Sequence, residues 1–292
     1  MPTSGSPTVR RRLLAAELRR IRVRTGKTAE EVGRALGWSK AKISRYELGQ
    51  GGLKPDDVSS LLAIYEVPES QHAWLRGLAE DARHKGWWES YSDVLSEENM
   101  EFIGLEAEAT SKLEWQVNVV PGLLQTEAYA QEILSGYQEV ATITPRAIQR
   151  RLETRIIRRQ VLTRDEPLKY RAILDESVLR RRRGDRSVMH AQLQRLAEQS
   201  TLPNVRIQIL PFQCSHGLAV DSFSILQFGK AHEAALNDVA SIEHLITESY
   251  VEGDIDTHTF RLAFDHLADE SLGPEESREL ILTVASDLWD KT

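Results

Sequence analysis

The sequence predicts an α+β protein, with an all-α N-terminal domain followed by a larger C-terminal α+β domain. In residues 10–84 the apolar side chains recur at helical spacing, between glycine, proline and capping residues. From Leu168 onward they alternate with polar residues in short runs that are typical of β-strands. Because a cluster of strands follows a run of helices, we expect no simple βαβ alternation.

Five helices are expected in the N-terminal domain, after a disordered lead-in over residues 1–9. The first covers Arg10–Arg24, and Gly26 closes it. Thr28 then caps the next helix, and Glu31 completes a capping box. The last two helices are expected at 55–65, after a glycine-rich link, and from Pro68 to about Arg83.

Residues 28–49 have the spacing of a helix-turn-helix. Gly33 lies where a second helix must cross closely, and Gly37 suits the left-handed end of the first helix. Ser39 is placed to cap the second helix. Apolar pairs flank the turn, Val32 with Leu36 and Ile43 with Tyr46. This pattern favours a DNA-reading motif, and the alternative is an ordinary αα-hairpin of a helical bundle.

The distribution of charge supports the DNA interpretation. The whole chain has a formal net charge of −7, which argues against unspecific binding to nucleic acid. Residues 1–54, however, hold 13 lysines and arginines against four acids, so this segment carries +9 and the remainder −16. A basic head on an acidic body is expected where one end of a protein meets phosphate.

Composition excludes several other classes of protein. The single cysteine, Cys214, rules out an intrachain disulfide and a thiolate metal cluster. No run of 18 apolar residues spans a membrane, and no apolar segment follows the N-terminal arginines as in a signal peptide. The eight histidines form no metal-binding pair. We therefore expect a cytoplasmic protein with no metal, no cofactor and no catalytic constellation.

The C-terminal domain is expected to span residues 85–292. Its helices are predicted at 96–114, 125–135, 145–163, 187–199, 256–270 and 274–289. Its strands are predicted at 168–174, 204–210, 221–228 and, as one or two strands, 239–251. Trp115 to Val120 is expected to be extended.

Two features of this domain allow more than one interpretation. Residues 146–164 carry seven arginines, which we expect to pair with the acidic tail over 231–292 or to face solvent; a second DNA contact is the alternative. Trp87, Trp88 and Trp115 are interpreted as core residues, and an aromatic-lined ligand pocket is the alternative.

Several segments resemble a known group of regulators. Residues 10–65 resemble the phage-repressor class of helix-turn-helix, the XRE family with its lambda-repressor-like fold. The whole chain is similar to actinobacterial XRE-type regulators with a C-terminal domain of unknown function, which include the antitoxin-like WhiJ-type proteins. The matching segments are GWW-x-x-Y-S-D at 86–93, GLEAEA at 104–109, VVPGLLQTEAYA at 119–130, LDESVLRR at 174–181 and LPNVRIQILPF at 202–212. The chain departs from the pattern at Lys27, where an aliphatic residue is usual, and in the basic loop Arg180–Arg183.

The resemblance implies which side chains contact DNA bases. Lys40, Ala41, Ser44 and Arg45 stand where the repressor class reads base edges. Arg45 can bond guanine through O6 and N7, Lys40 can donate to the same acceptors, and Ala41 can offer a methyl contact to thymine.

The resemblance also implies three phosphate contacts, from Thr28, Ser39 and Lys42. Arg22 and Glu47 match the ion pair that, in this class, ties the first helix of the domain to the recognition helix, which is the second helix of the helix-turn-helix.

We therefore expect a sequence-specific transcriptional regulator that binds double-stranded DNA as a homodimer. The resemblance implies that its C-terminal domain binds a small protein partner. The alternative is a domain that senses a small-molecule ligand, and an enzyme is the third class considered.

Overall fold

The computed structural model describes residues 6–141, 143–214, 218–229, 236–244 and 248–290. These residues fall into two compact units. The first contains residues 6–90 with 228, 229 and 236, and the second contains the described residues of 91–227 and 237–290. The two units divide between Ser90 and Tyr91, a few residues after the expected domain boundary at 84/85. This point lies within a 3₁₀ turn, Trp87–Tyr91, in which Trp88 is buried.

The first unit contains the five expected helices. They are α1 Pro7–Arg24, α2 Ala29–Leu36, α3 Lys40–Glu47, α4 Pro55–Ile64 and α5 Glu69–Asp81. Apolar residues from all five helices form one core, in which Ile21, Val32, Val58 and Leu75 have no exposed surface. This core fixes the position of α3 relative to the rest of the unit.

The expectation of a disordered lead-in over residues 1–9 is wrong for Pro7–Val9, which form the first turn of α1 and are buried. Proline is well suited to the first helical position because its fixed φ matches a helix and it lacks an N–H that would have no partner there. The helix therefore begins at Pro7 and not at Arg10.

The second unit combines seven helices and six strands among the described residues. The helices are α6 Glu97–Glu108, α7 Glu127–Gly136, α8 Pro145–Arg158, α9 Ser177–Arg180, α10 Arg186–Gln199, α11 Asp254–Glu270 and α12 Pro274–Trp289. The strands are β1 Ser111–Gln116, β2 Lys169–Asp175, β3 Val205–Leu210, β4 Phe223–Gln227, β5 Val239–Glu243 and β6 Glu248–Glu252. The expected α+β class is confirmed.

The six strands form one mixed sheet in the order β3-β2-β1-β4-β5-β6. The strands β1, β2 and β3 are parallel, and β4, β5 and β6 add in antiparallel fashion. Helices α7 and α8 connect β1 to β2, and α9 and α10 connect β2 to β3. The expectation of no βαβ alternation is therefore wrong for this half of the sheet, because parallel neighbours need such crossovers.

The first parallel strand, β1, was not expected, because the sequence predicts one helix over 96–114 whereas α6 ends at Glu108. Leu113 continues the helical spacing of Phe102, Leu105 and Ala109 in the sequence, yet it lies in the strand. Pairing on both sides, with β2 and with β4, imposes the extended conformation there.

The two faces of β1 are chemically different. Leu113 and Trp115 point into an apolar core with Phe264 and Leu267 of α11. The alternate residues Lys112, Glu114 and Gln116 are polar and nevertheless buried.

None of the described helices is long and apolar enough to cross a membrane.

Candidate nucleic-acid interface

The turn between α2 and α3 depends on two glycines. A Cβ on Gly33 would lie 2.7 Å from the carbonyl oxygen of Trp38, closer than packed atoms allow. The amide of Trp38 donates to the carbonyl of Gly33 over 2.7 Å, so the two backbones are in direct contact. Gly37 ends α2 with a φ of 66°, a left-handed conformation that glycine adopts without strain.

Side-chain caps fix the start of both helices. The hydroxyl of Thr28 accepts the amide of Glu31 over 3.2 Å, and the carboxylate of Glu31 accepts the amide of Thr28 over 2.8 Å. These backbone and hydroxyl donors lower the pKa of Glu31. Ser39 accepts the amide of Lys42 at the start of α3 over 3.1 Å.

The four residues expected to contact bases lie on one side of α3. Lys40, Ala41 and Arg45 are exposed and Ser44 is half-buried, whereas Ile43 and Tyr46 on the opposite side are buried in the core. Among the described residues, no carboxylate lies within 4.0 Å of the Lys40 or Arg45 side chain. This side of α3 therefore presents one guanidinium, one ammonium, one hydroxyl and one methyl group to solvent.

Arg22 and Glu47 tie α1 to α3. The guanidinium donates from Nε to one carboxylate oxygen over 2.6 Å and from Nη2 to the other over 2.8 Å. Its Nη1 also donates to the carbonyl of Lys27 over 2.8 Å. The side chains are 15% and 8% exposed, and the bond to Glu47 raises the pKa of Arg22. A paired bond of this geometry fixes orientation as well as distance.

The residues expected to contact phosphate have partners within the chain. The hydroxyl of Thr28 donates to Glu31 over 2.8 Å, and the Glu31 carboxylate stands at the start of α2 where a phosphate would bind. The ammonium of Lys42 lies 3.6 Å from the centre of the Trp38 ring. Ser39 is exposed beside it at the start of α3. The helix starts thus differ, since α2 already holds a carboxylate and α3 has no acid in its first turn.

The comparisons with known families agree with this division of the chain. Residues 13–75 match the family described as helix-turn-helix domain. Residues 100–283 match the family described as domain of unknown function (DUF5753). The chain belongs to the DUF5753 family. Neither the curated proteins nor the solved structures contain a match to the chain.

The DUF5753 domain contains a buried ionic network that the sequence analysis missed. The ammonium of Lys112 on β1 lies 3.0 Å from Glu106 of α6 and 2.8 Å from Glu114. Arg158 of α8 donates to both oxygens of Glu106, over 2.8 and 3.1 Å. The hydroxyl of Tyr170 donates to Glu114 over 2.6 Å. The alternation of polar and apolar residues along β1 could have indicated this network, but the helix expected at 96–114 covers most of that strand.

The network is balanced and keeps its charges. Burial opposes the ionisation of Glu106, but Arg158 and Lys112 outweigh it and hold the pKa of Glu106 at about 2. Burial likewise opposes the charge on Lys112, while Glu106 and Glu114 raise its pKa. Two carboxylates and two cations thus neutralise each other away from water, which is the condition for burying them.

Arginines of α8 and the following turn bind partners outside the acidic tail, although Glu243 of the tail raises the pKa of Arg155. Arg150 binds Asp93, Arg151 donates to the carbonyl of Val94, and Arg158 binds Glu106. Arg155 donates to the side-chain oxygen of Gln125. These acceptors all lie in residues 93–125, because the crossover from β1 to β2 packs α8 beside the segment that precedes it. Trp115 is a core residue, as expected.

Proposed function

We propose that this protein is a sequence-specific DNA-binding transcriptional regulator. The observation that carries the proposal is the exposed side of α3, where Lys40, Ala41, Ser44 and Arg45 project from a helix held by a helix-turn-helix core. The helix-turn-helix match over residues 13–75 supports the same function. A helix placed in this way enters the major groove, where base edges differ from one another.

The chemistry of that side suits direct recognition of bases. Arg45 can donate two parallel hydrogen bonds to O6 and N7 of guanine, and Lys40 can donate one. Ala41 can contact the methyl group of thymine, and Ser44 can bond to either kind of base edge. We assign the phosphate contacts to Ser39 and Lys42, next to the amide groups at the start of α3, where no carboxylate competes. Thr28 stays a weaker candidate because Glu31 occupies its donors.

The ion pair of Arg22 and Glu47 has a supporting role in this proposal. Since it joins α1 to the end of α3, it holds the recognition helix at a fixed angle to the domain. The +9 charge of residues 1–54 would then supply the salt-dependent attraction to the DNA backbone.

A selection from random duplexes with the full chain tests the proposal. We expect enrichment of one sequence, and tighter binding to it than to a scrambled duplex of the same length. Arg45→Ala should reduce that preference, whereas Arg76→Ala, which removes an exposed cation on α5, should leave it unchanged. Recovery of unrelated sequences, with equal affinity for selected and scrambled duplexes, would refute sequence-specific binding.

We further propose that the regulator is cytoplasmic and binds DNA as a homodimer. One recognition helix covers only a few base pairs, so two half-sites about 34 Å apart would be read by a two-fold pair. Sedimentation of the chain alone and with a full operator checks this, and a single copy in both cases would contradict it.

For the DUF5753 domain we propose binding of a small protein partner, in the manner of an antitoxin, and no catalysis. Its size supports this, since the family match covers residues 100–283 and dimerisation alone needs far less. Such a partner would change DNA affinity by the same factor as DNA changes partner affinity. Co-expression of the full chain with small proteins encoded beside it, followed by titration of any stable complex on DNA, tests the idea. A complex without effect on DNA binding would contradict the coupling.

A further inference from the structure

Three basic side chains lie together on the sheet of the DUF5753 domain, on the side where α11 packs. Arg171 of β2 and Arg206 of β3 are paired in register on neighbouring parallel strands, which lie about 4.8 Å apart. Lys169 is two residues before Arg171 and therefore projects from the same side of β2. Ile173, the next residue on that side, packs in the apolar core with Phe264 of α11. Lys169, Arg171 and Arg206 thus form one basic patch beside this helix.

Arg171 is held in place without a hydrogen bond. Its guanidinium lies 5.3 Å from the centre of the Phe264 ring, and its side chain is half-buried. Within the described part of the chain its Nε is shielded from water and has no hydrogen-bond partner, which is rare for a buried donor. The terminal nitrogens also lack a partner there, but they reach solvent. The group therefore presents fixed donors that have no acceptor within the described chain.

No acid binds the basic patch directly. Lys169 and Arg206 are exposed, and among the described residues no carboxylate lies within 4.0 Å of any of the three cations. Asp265 and Asp269 of α11 attract Arg171 from a greater distance. Burial and the like charge of Arg206 nevertheless lower the pKa of Arg171, so the two carboxylates do not offset these effects. The patch therefore keeps an excess of positive charge.

We propose that the basic patch binds the phosphate group of a small ligand. Arginine and phosphate form paired, charge-assisted hydrogen bonds, and two guanidinium groups on neighbouring strands can share the oxygens of one phosphate. Lys169 adds a third positive charge at the rim. The Phe264 ring holds Arg171 before the ligand arrives, which reduces the side-chain freedom lost on binding. The site goes beyond the proposed binding of DNA and of a protein partner and depends on neither.

A compact ligand suits the patch better than an extended polyanion. Asp265 and Asp269 are exposed on the adjacent helix, and residues 55–292 carry a net charge of −16. DNA that runs past the patch would meet these carboxylates, whereas a small ligand can contact the three cations alone. Charge therefore favours a small phosphorylated ligand over a second contact to DNA.

Isothermal titration of the full chain, without DNA and at constant ionic strength, tests the site. The probes are inorganic phosphate and pyrophosphate in one arm and succinate, a dicarboxylate, in the other. We expect saturable binding in the phosphate arm and weaker binding of succinate. No saturable binding of either phosphate probe, or equal binding of succinate, would overturn the proposal, and the proposal of DNA binding would stand.

Three variants separate the basic patch from a general effect of charge. Arg171→Met keeps an unbranched side chain against the Phe264 ring but removes the charge, and should weaken phosphate binding about tenfold or more. Asp269→Asn should tighten binding, because it removes a negative charge beside the anion; a purely structural role for these residues does not predict this gain. Arg146→Ala, at an exposed position of α8, should bind as the wild type does. Equal loss in Arg146→Ala and Arg171→Met, or weaker binding in Asp269→Asn, would contradict the site.

A fourth variant distinguishes a small ligand from DNA as the source of the phosphate. Arg206→Ala removes an exposed cation and should weaken phosphate binding about twofold to fivefold. The same variant should bind the selected DNA duplex as tightly as the wild type does. A matching loss of affinity for the duplex would overturn the small ligand in favour of a second DNA contact.

Discussion

Helices α3 and α8 are both rich in basic residues, but their side chains have different surroundings. On α3, Lys40 and Arg45 project into solvent, and no described carboxylate lies within 4.0 Å of them. On α8, Arg150 and Arg158 bind carboxylates and Arg151 binds a backbone carbonyl. Arginine content alone therefore does not identify a nucleic-acid surface. Whether an arginine is available to DNA depends on the acceptors near it within the protein.

The ion pairs of the two units also differ, in how far their side chains are exposed to solvent. Arg22 and Glu47 join two helices near the surface of the first unit, with 15% and 8% of their side chains exposed. Glu106 and Lys112 in the second unit are 1% and 3% exposed and belong to a larger network. Loss of one partner should cost more where the remaining charge cannot reach water.

The largest effect is expected in the buried network. Glu106→Gln should lower the free energy of unfolding of the second unit by about 3–5 kcal/mol, because it leaves Lys112 and Arg158 with one carboxylate between them. Urea unfolding measures this. Glu97→Gln, at an exposed position of the same helix, should change it by less than about 0.5 kcal/mol. Equal effects of the two changes would show that the network adds nothing.

Acid should destabilise the second unit by protonating Glu106. The pKa of Glu106 is about 2 in the folded chain, below that of an unfolded glutamate at about 4.3, so its stabilisation is complete above the higher value. It is lost as the pH falls toward 2, and amounts to about 3 kcal/mol. Urea unfolding from pH 7 to pH 2 should show wild type and Glu106→Gln converging in acid. A constant difference between them would contradict the ionised state of Glu106.

A double-mutant cycle should give a smaller energy for the pair in the first unit. Arg22→Met and Glu47→Gln, alone and together, should yield a coupling of about 1.5–3 kcal/mol, the range for hydrogen bonds to charged groups. The matched control is Arg34 with Glu30, one turn apart on α2 and 76% and 66% exposed, for which about 0.3–0.5 kcal/mol is expected. Similar couplings in the two cycles would mean that burial does not strengthen the first pair.

Two glycines test the close approach of α2 and α3. Gly33→Ala should destabilise the chain by about 1–3 kcal/mol, because the new methyl group meets the Trp38 carbonyl. Gly77→Ala in α5 has open space around it and should stabilise the chain by about 0.5–1 kcal/mol. Thermal unfolding of both variants gives the comparison, and a gain at Gly33 would contradict the packing of the turn.

The sequence predicted the first unit well because its signals are local. The capping box at Thr28, the left-handed Gly37 and the cap at Ser39 each depend on residues a few positions apart. The candidate base-contacting residues came instead from the resemblance to the XRE family, and all four lie on one side of α3. The surroundings of the residues expected to contact phosphate were less predictable, because the stacking of Lys42 on Trp38 depends on side-chain conformation.

The second unit was harder to predict because its defining contacts are distant in the sequence. The strand β1 pairs with residues 169–174 and 223–227, and its own sequence continues the apolar spacing of α6. Glu106 and Arg158 are 52 positions apart and meet only through the crossover. Most other helices and strands were predicted within a few residues, since their periodicity is undisturbed.

Recognition of DNA sequence by α3 can be tested with a set of single-base-pair replacements. The affinities of wild type, Arg45→Ala and Arg76→Ala are compared on the selected duplex and on copies with each base pair replaced. We expect that Arg45→Ala loses about 1–3 kcal/mol of preference at one guanine position and that Arg76→Ala keeps the full pattern. A uniform loss across all duplexes, equal for the two variants, would contradict base recognition by this helix.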